Sequence, residues 1–158
     1  MSLISPFRLR AQRLGLVAAL LLASTSLAAQ SVRPDQAIEY RQSVYQVILW
    51  NFQPLGAMAR GRIPFDRTTF RRHAQRLANL SGHLLEGFPE GSDSGAETAA
   101  KAEIWENWAD FESKMNDFRK ASRELAVASR TEDFEALKTR FGAVGGTCKA
   151  CHDSYKID

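Results

Sequence analysis

Cys148-Lys149-Ala150-Cys151-His152 constrains this chain more than any other stretch. In an exported protein, two thiols three residues apart followed at once by an imidazole read as a c-type haem attachment site. On a helix, residues at that spacing lie one turn apart on one face, so each sulfur can form a thioether to one vinyl group of a single porphyrin. His152 projects from the same side and can ligate the iron. The expectation is a helix carrying one covalent haem c per chain, close to the C-terminal end. Two other chemistries stay open. A zinc site usually takes four Cys or His ligands, and the chain has only these two cysteines, with His73 and His83 far upstream. A redox-active disulfide of the thioredoxin type sits near a strand–helix junction, and no strand pattern precedes Cys148.

Arg8, Arg10 and Arg13 precede an almost wholly apolar run from Leu14 to Ala23, and small residues follow through Ala28 and Ala29. That order reads as a secretory signal peptide over residues 1–29, because the run is too short for a membrane span; a retained anchor is the alternative. Residues 30–158 are then the mature domain. No adjacent arginine pair precedes the run, which favours the general secretory route. The expected location is the periplasm, with no membrane contact after signal removal. An oxidising compartment drives a cysteine pair toward a disulfide, so haem attachment there implies a dedicated reductive step.

The formal net charge of +3, from 21 bases and 18 acids, is due entirely to those three arginines. Residues 30–158 are therefore balanced, which removes the general electrostatic case for nucleic-acid binding. Their length suits one domain with one core.

Strand-like alternation is absent, and long helical patterns account for nearly all of residues 34–158. A first helix begins at Pro34-Asp35 with the stripe Tyr45, Ile48, Phe52, Leu55, and Pro54 should kink or break it. A second runs from Asp66, a good N-cap, to about Leu85, burying Phe70, Leu77, Leu80 and Leu84. Its other side carries Arg67, Arg71, Arg72 and Arg76, either a solvated face or a docking patch for an acidic redox partner. His73 and His83 read as unpaired surface histidines. Residues 86–98 are loop by composition. The third helix has a heptad seam, Ile104, Trp108, Phe111, Met115, Phe118, Ser122 and Leu125, and Ser129 to Glu132 offers a capping box before the fourth. That last helix places Phe134, Leu137, Phe141, Val144, Cys148, Cys151 and Tyr155 on one stripe, with Gly142, Gly145 and Gly146 giving room for the porphyrin or a packed neighbour. The fold class is all-α, an antiparallel up-and-down four-helix bundle.

Only Asp153 to Asp158 follow His152, and none is methionine, so any sixth iron ligand comes from an upstream helix. With Glu39-Tyr40-Arg41-Gln42, Glu103-Ile104-Trp105, and Phe141-Gly142-Ala143-Val144-Gly145 leading into the haem motif, Asp153 and Tyr155, the chain resembles the cytochromes c′, the high-spin class II c-type cytochromes. The resemblance implies a four-helix bundle, usually a homodimer, with a pentacoordinate haem. It implies that Arg41 and Gln42 hold the haem propionates, a role that suits a guanidinium fork. Tyr45 falls at the distal position, where low-spin relatives have methionine. A plain core aromatic is the other reading of Tyr45, and a phenolate ligand is opposed by tyrosine's reference pKa near 10. Thr98, Phe88 and Trp105 resemble positions lining the haem edge. The family's basic residue over the proximal histidine is usually arginine; here Lys156 follows Tyr155.

Two functions follow from the resemblance. One is a gas-binding module taking up nitric oxide or carbon monoxide, with Tyr45 as a steric filter. The other is an electron carrier with periplasmic redox partners, in its alternative form a low-spin cytochrome with a sixth axial ligand. No acid–base pair stands beside the motif, so the chain does not read as an enzyme.

Overall fold

The computed structural model describes residues 32–157; the signal peptide expected over residues 1–29 lies outside them. Five α-helices form: α1 (Pro34–Ala59), α2 (Arg67–Leu80), a single turn α3 (Glu103–Glu106), α4 (Trp108–Ala128) and α5 (Phe134–Tyr155), with a 3-10 turn at Leu85–Gly87. The four long helices pack in a ring, α1 on α2, α2 on α4, α4 on α5, and α5 back on α1. The turns 60–66 and 129–133 make consecutive helices antiparallel. The α1–α5 seam is the loosest of the four, and it is there that the chain leaves space inside the bundle. Among the described residues, no helix is long and apolar enough to cross a membrane.

Each start has a local cause. Pro34 sits in the first turn of α1, where a missing N–H costs nothing, with Asp35 at the positive end of the helix dipole. The Asp66 carboxylate accepts from Thr69 N at 2.7 Å and that of Asp133 from Ala136 N at 2.9 Å, each satisfying a donor the helix leaves unpaired. The α5 cap is thus Asp133 and not the Ser129–Glu132 box; Glu132 instead grips Arg140 through two bonds of 2.8 and 2.7 Å.

Phe70, Leu77, Leu55, Met58, Leu125, Leu137 and Val144 are fully buried at the centre of the ring, each worth about 1.5–3 kcal/mol of apolar transfer. Three expectations are corrected, the first in part. Of the kink or break expected at Pro54, the break does not occur, since α1 continues to Ala59. The carbonyl that Pro54 leaves without a partner belongs to Trp50, on the water-facing side, where solvent can bond it. The second helix stops at Leu80, five residues early, and the chain turns at Ser81. The heptad seam is interrupted at Asn107, which separates α3 from α4, and Trp108 is exposed while Phe111, Met115, Phe118, Ser122 and Leu125 stay buried.

His73 also departs from expectation, being buried against Asn51 with Nδ1 to Oδ1 at 3.0 Å. Because Asn51 Nδ2 donates to the Val47 carbonyl at 2.8 Å, its Oδ1 faces the imidazole, and His73 Nδ1–H must be the donor. Of the three α5 glycines, only Gly145 meets a neighbour, Phe52; a Cβ on Gly142 or Gly146 would meet nothing. Both lie in exposed helix interior, so Gly142→Ala and Gly146→Ala are each expected to raise stability by about 0.5–1 kcal/mol, read from urea unfolding midpoints.

Candidate functional site

The stripe of α5 that buries Leu137, Phe141 and Val144 carries on to Cys148 and Cys151, two partly buried free thiols. Across the loose seam α1 presents Tyr45 and Phe52, and α4 closes a third side with Phe111, Met115 and Phe118. They bound a cavity of about 400 Å³, a size suited to an organic ligand or cofactor. Arg41, Gln42, Phe88 and Thr98 line it, as does His152, whose side chain is exposed at the rim next to Lys156. Trp105 stands outside the wall: its Nε1–H donates to the Pro89 carbonyl at 3.0 Å and its ring lies 6.2 Å from that of Phe88.

The cavity end is organised by Arg41, only 2% exposed. Its Nη1 donates to the Gly87 carbonyl and Ser92 Oγ, and its Nη2 to the Ser92 carbonyl and Thr98 Oγ1, all at 2.9–3.1 Å. The guanidinium carbon lies 4.8 Å from the Phe88 ring centroid. Every one of these acceptors is neutral. No carboxylate forms an ion pair with Arg41 among the described residues, and burial holds its pKa below the ordinary value. Four of its five N–H groups are used, leaving Nε–H. Beside it, Gln42 Nε2 donates to the Glu97 carbonyl at 2.9 Å. The loop approaches so closely that a Cβ on Gly87 would meet Arg41 Cβ at 2.5 Å.

Burial raises both thiols, Cys151 to about 11, so they are protonated at neutral pH. Burial first, then the Cys151 and Cys148 thiols, pushes the Tyr45 phenol above its usual range, and the neutral hydroxyl points toward Met115 Sδ at 4.0 Å. Partial burial and Lys156 keep the His152 pKa below the usual imidazole value, which favours the neutral form that ligates metals. No group of three or more His, Cys, Asp or Glu capable of holding a metal ion gathers among the described residues, so the zinc alternative finds no ligand set.

Sequence reasoning missed the parts that act through the loop and the chain end. Ser92 is fully buried inside a Gly/Ser-rich segment whose composition spoke only of turns. Tyr155 OH donates to Asp110 Oδ2 at 2.6 Å, with Lys114 Nζ 3.6 Å from the same oxygen. Lys101 N bonds the Tyr155 carbonyl at 3.0 Å and Ile157 N the Ala99 carbonyl at 2.8 Å. The helical spacing marks Met115 on the heptad seam and Tyr155 on the stripe of the last helix, but not these partners.

A helical bundle with two thiols, an imidazole and an unpaired guanidinium around one apolar cavity has the features of a covalent-haem protein. The family model described as Cytochrome C' matches residues 36–156. A cytochrome c' of Halomonas halodenitrificans is 40% identical over 130 residues, covering 79% of this chain and 98% of that one. The solved cytochrome c prime from Shewanella frigidimarina is 44% identical with a TM-score of 0.78, covering 82% of this chain and 100% of that one. A ferrous variant of the Alcaligenes xylosoxidans protein, solved with bound nitric oxide, is 31% identical with a TM-score of 0.75, over 82% and 99% of the two chains. The chain belongs to the cytochrome c′ family, whose cofactor is haem c.

The bond to Asp110, with burial second, lifts the Tyr155 phenol to about 12. In the unfolded chain a tyrosine titrates near 10, so between about pH 10 and pH 12 the unfolded state loses a proton that the folded state keeps. Stability must fall with rising pH across that window. Tyr155→Phe is expected to flatten this part of the curve of urea midpoint against pH.

Proposed function

We propose that this protein binds nitric oxide and other small neutral gases at a pentacoordinate haem c in the periplasm, after removal of residues 1–29. Cys148 and Cys151 form the thioethers and His152 is the iron's one protein ligand. Arg41 and Gln42 hold the propionates, Thr98 and Phe88 border the haem edge, and Trp105 supports that edge from behind Phe88. The observation that carries this reading is the pairing of walls. Thiols and imidazole stand on α5, and α1 opposes them with a neutral phenol, Tyr45, and the Phe52 ring. The buried guanidinium at the cavity end supports it further, since a buried cation with no ion-pair partner in contact is best satisfied by an anion. The bound haem supplies an iron with an open coordination position. The chain's own work is to hold the macrocycle, keep the open face apolar and limit access by the bulk of Tyr45.

One observation favours the low-spin electron-carrier alternative: Met115 lines the cavity and offers a thioether. Its sulfur is turned to the Tyr45 hydroxyl, which argues against its use as a ligand. Optical spectra of the holoprotein separate the two readings. A high-spin spectrum that changes on adding nitric oxide or carbon monoxide is expected, with Tyr45→Ala speeding carbon monoxide binding severalfold. A low-spin spectrum indifferent to gas would overturn the proposal in favour of a sixth protein ligand, and its loss in Met115→Leu would assign that ligand to Met115.

The functional unit is a homodimer formed through the outer face of α1. Tyr40, Val47 and Trp50 fall on one stripe there, and Val47 and Trp50 are 47% and 72% exposed, large apolar groups of the kind that mark interaction sites. Val47→Lys with Trp50→Lys should convert a dimer to a monomer in sedimentation velocity, with the haem spectrum unchanged.

A further inference from the structure

On the side of the bundle away from the cavity, α2 and the α4–α5 turn enclose an open depression of about 750 Å³ lined by Thr68, Arg71, Arg72, Gln75, Arg76 and Arg130. No residue of α2 lines the haem cavity. The four arginines are exposed, and among the described residues none pairs with a carboxylate. The sole side-chain bond made by any of them runs from Arg72 Nη2 to Thr69 Oγ1, at 3.4 Å.

This arrangement works against the helix that carries it. Residues 67–80 hold four arginines and no acid, in a domain whose charges balance only as a whole. Arg67 and Arg71, and Arg72 and Arg76, are like charges four residues apart, a spacing that destabilises a helix. Arg67 also sits in the first turn, at the positive end of the helix dipole, where the Asp66 cap opposes it. The field reaches inward, since Arg72 and Arg76, after burial, lower the pKa of His73.

We infer that this cleft is a docking surface for an acidic segment of a partner protein, read by the guanidinium groups of Arg71, Arg72, Arg76 and Arg130. Guanidinium forks match carboxylates in pairs, and Thr68 and Gln75 add neutral groups that can bond a peptide backbone. The surface is concave, which admits a protruding chain, whereas a flat bilayer would reach only its rim. Because the cleft and the haem cavity share no residue, the partner docks without covering the gas site, whether or not a gas is bound. The charge complementarity gives fast, salt-sensitive association.

The test uses the mature holoprotein and a fluorescently labelled peptide of ten glutamates, followed by anisotropy at low ionic strength. Binding is expected, weakening steeply as salt rises. The variant carrying Arg71→Gln, Arg72→Gln, Arg76→Gln and Arg130→Gln should bind at least tenfold more weakly. It removes repulsion and so should fold at least as stably. A control carrying Arg33→Gln and Lys138→Gln, whose side chains already pair with Asp35 and Glu135, should bind like the parent. Equal binding by the arginine variant, or no binding by the parent at low salt, would overturn the proposal. Binding to phosphatidylglycerol vesicles without binding to the peptide would also overturn it, in favour of a lipid surface.

Discussion

The Arg41 guanidinium is the interaction on which the cavity end depends. A buried cation with no anionic partner is costly, and this one is tolerated because four neutral acceptors surround it and the Phe88 ring stacks beneath it. The same four bonds give the 87–98 loop its shape. Replacing arginine with lysine would keep the charge and lose the planar fork that reaches Gly87, Ser92 and Thr98 together. One side chain therefore sets both the electrostatics of the cavity and the path of its rim.

Helix α1 divides its surface three ways. Ile38, Leu55 and Met58 enter the core; Arg41, Tyr45, Ile48 and Phe52 face the cavity; Val47 and Trp50 face outward. Such a division needs residues other than a simple amphipathic pattern, and α1 accordingly has aromatic or charged groups where a two-faced helix would have leucine or lysine. The second cationic surface, on α2, is separate in sequence and in space. The fold thus keeps the apolar cavity, the outer α1 stripe and the arginine cleft on different faces of one bundle.

How much of this could be read from the chain depended on the range of the interaction. The three–four spacing of Leu137, Phe141, Val144, Cys148 and Cys151 is local, and it placed both thiols on the face that meets the cavity. Asp66 was legible as a cap because a cap bonds only three residues on. Asp133 was missed because the competing pattern from Ser129 to Glu132 satisfied the same rule one turn earlier, and Glu132 was drawn instead to Arg140, eight residues away. Burial of His73 was illegible for the same reason: its partner Asn51 is on another helix. Arg41 was singled out by resemblance, but its hold on Ser92 depends on a fold that brings residues 51 positions apart into contact.

The long connection from Ser81 to Ala102 looks like a weakness and is not one. Loop-closure entropy grows with the logarithm of length, so a segment four times longer than a short turn costs only about 1.2 kcal/mol more. Single hydrogen bonds contribute about 0.5–1.5 kcal/mol each, more where a charge is involved. The segment is tied at one end by Arg41 and Gln42 of α1, in its middle by Trp105 Nε1 on Pro89, and at the other end by the pairing of Ala99 and Lys101 with Ile157 and Tyr155. Those anchors together exceed the closure cost. They also join α1, α3 and the end of α5, the elements that border the cavity where helix packing is loosest. A shorter loop could turn the chain, but it could not reach all three, and the thiol-bearing end of α5 would lose its connection to the arginine on α1.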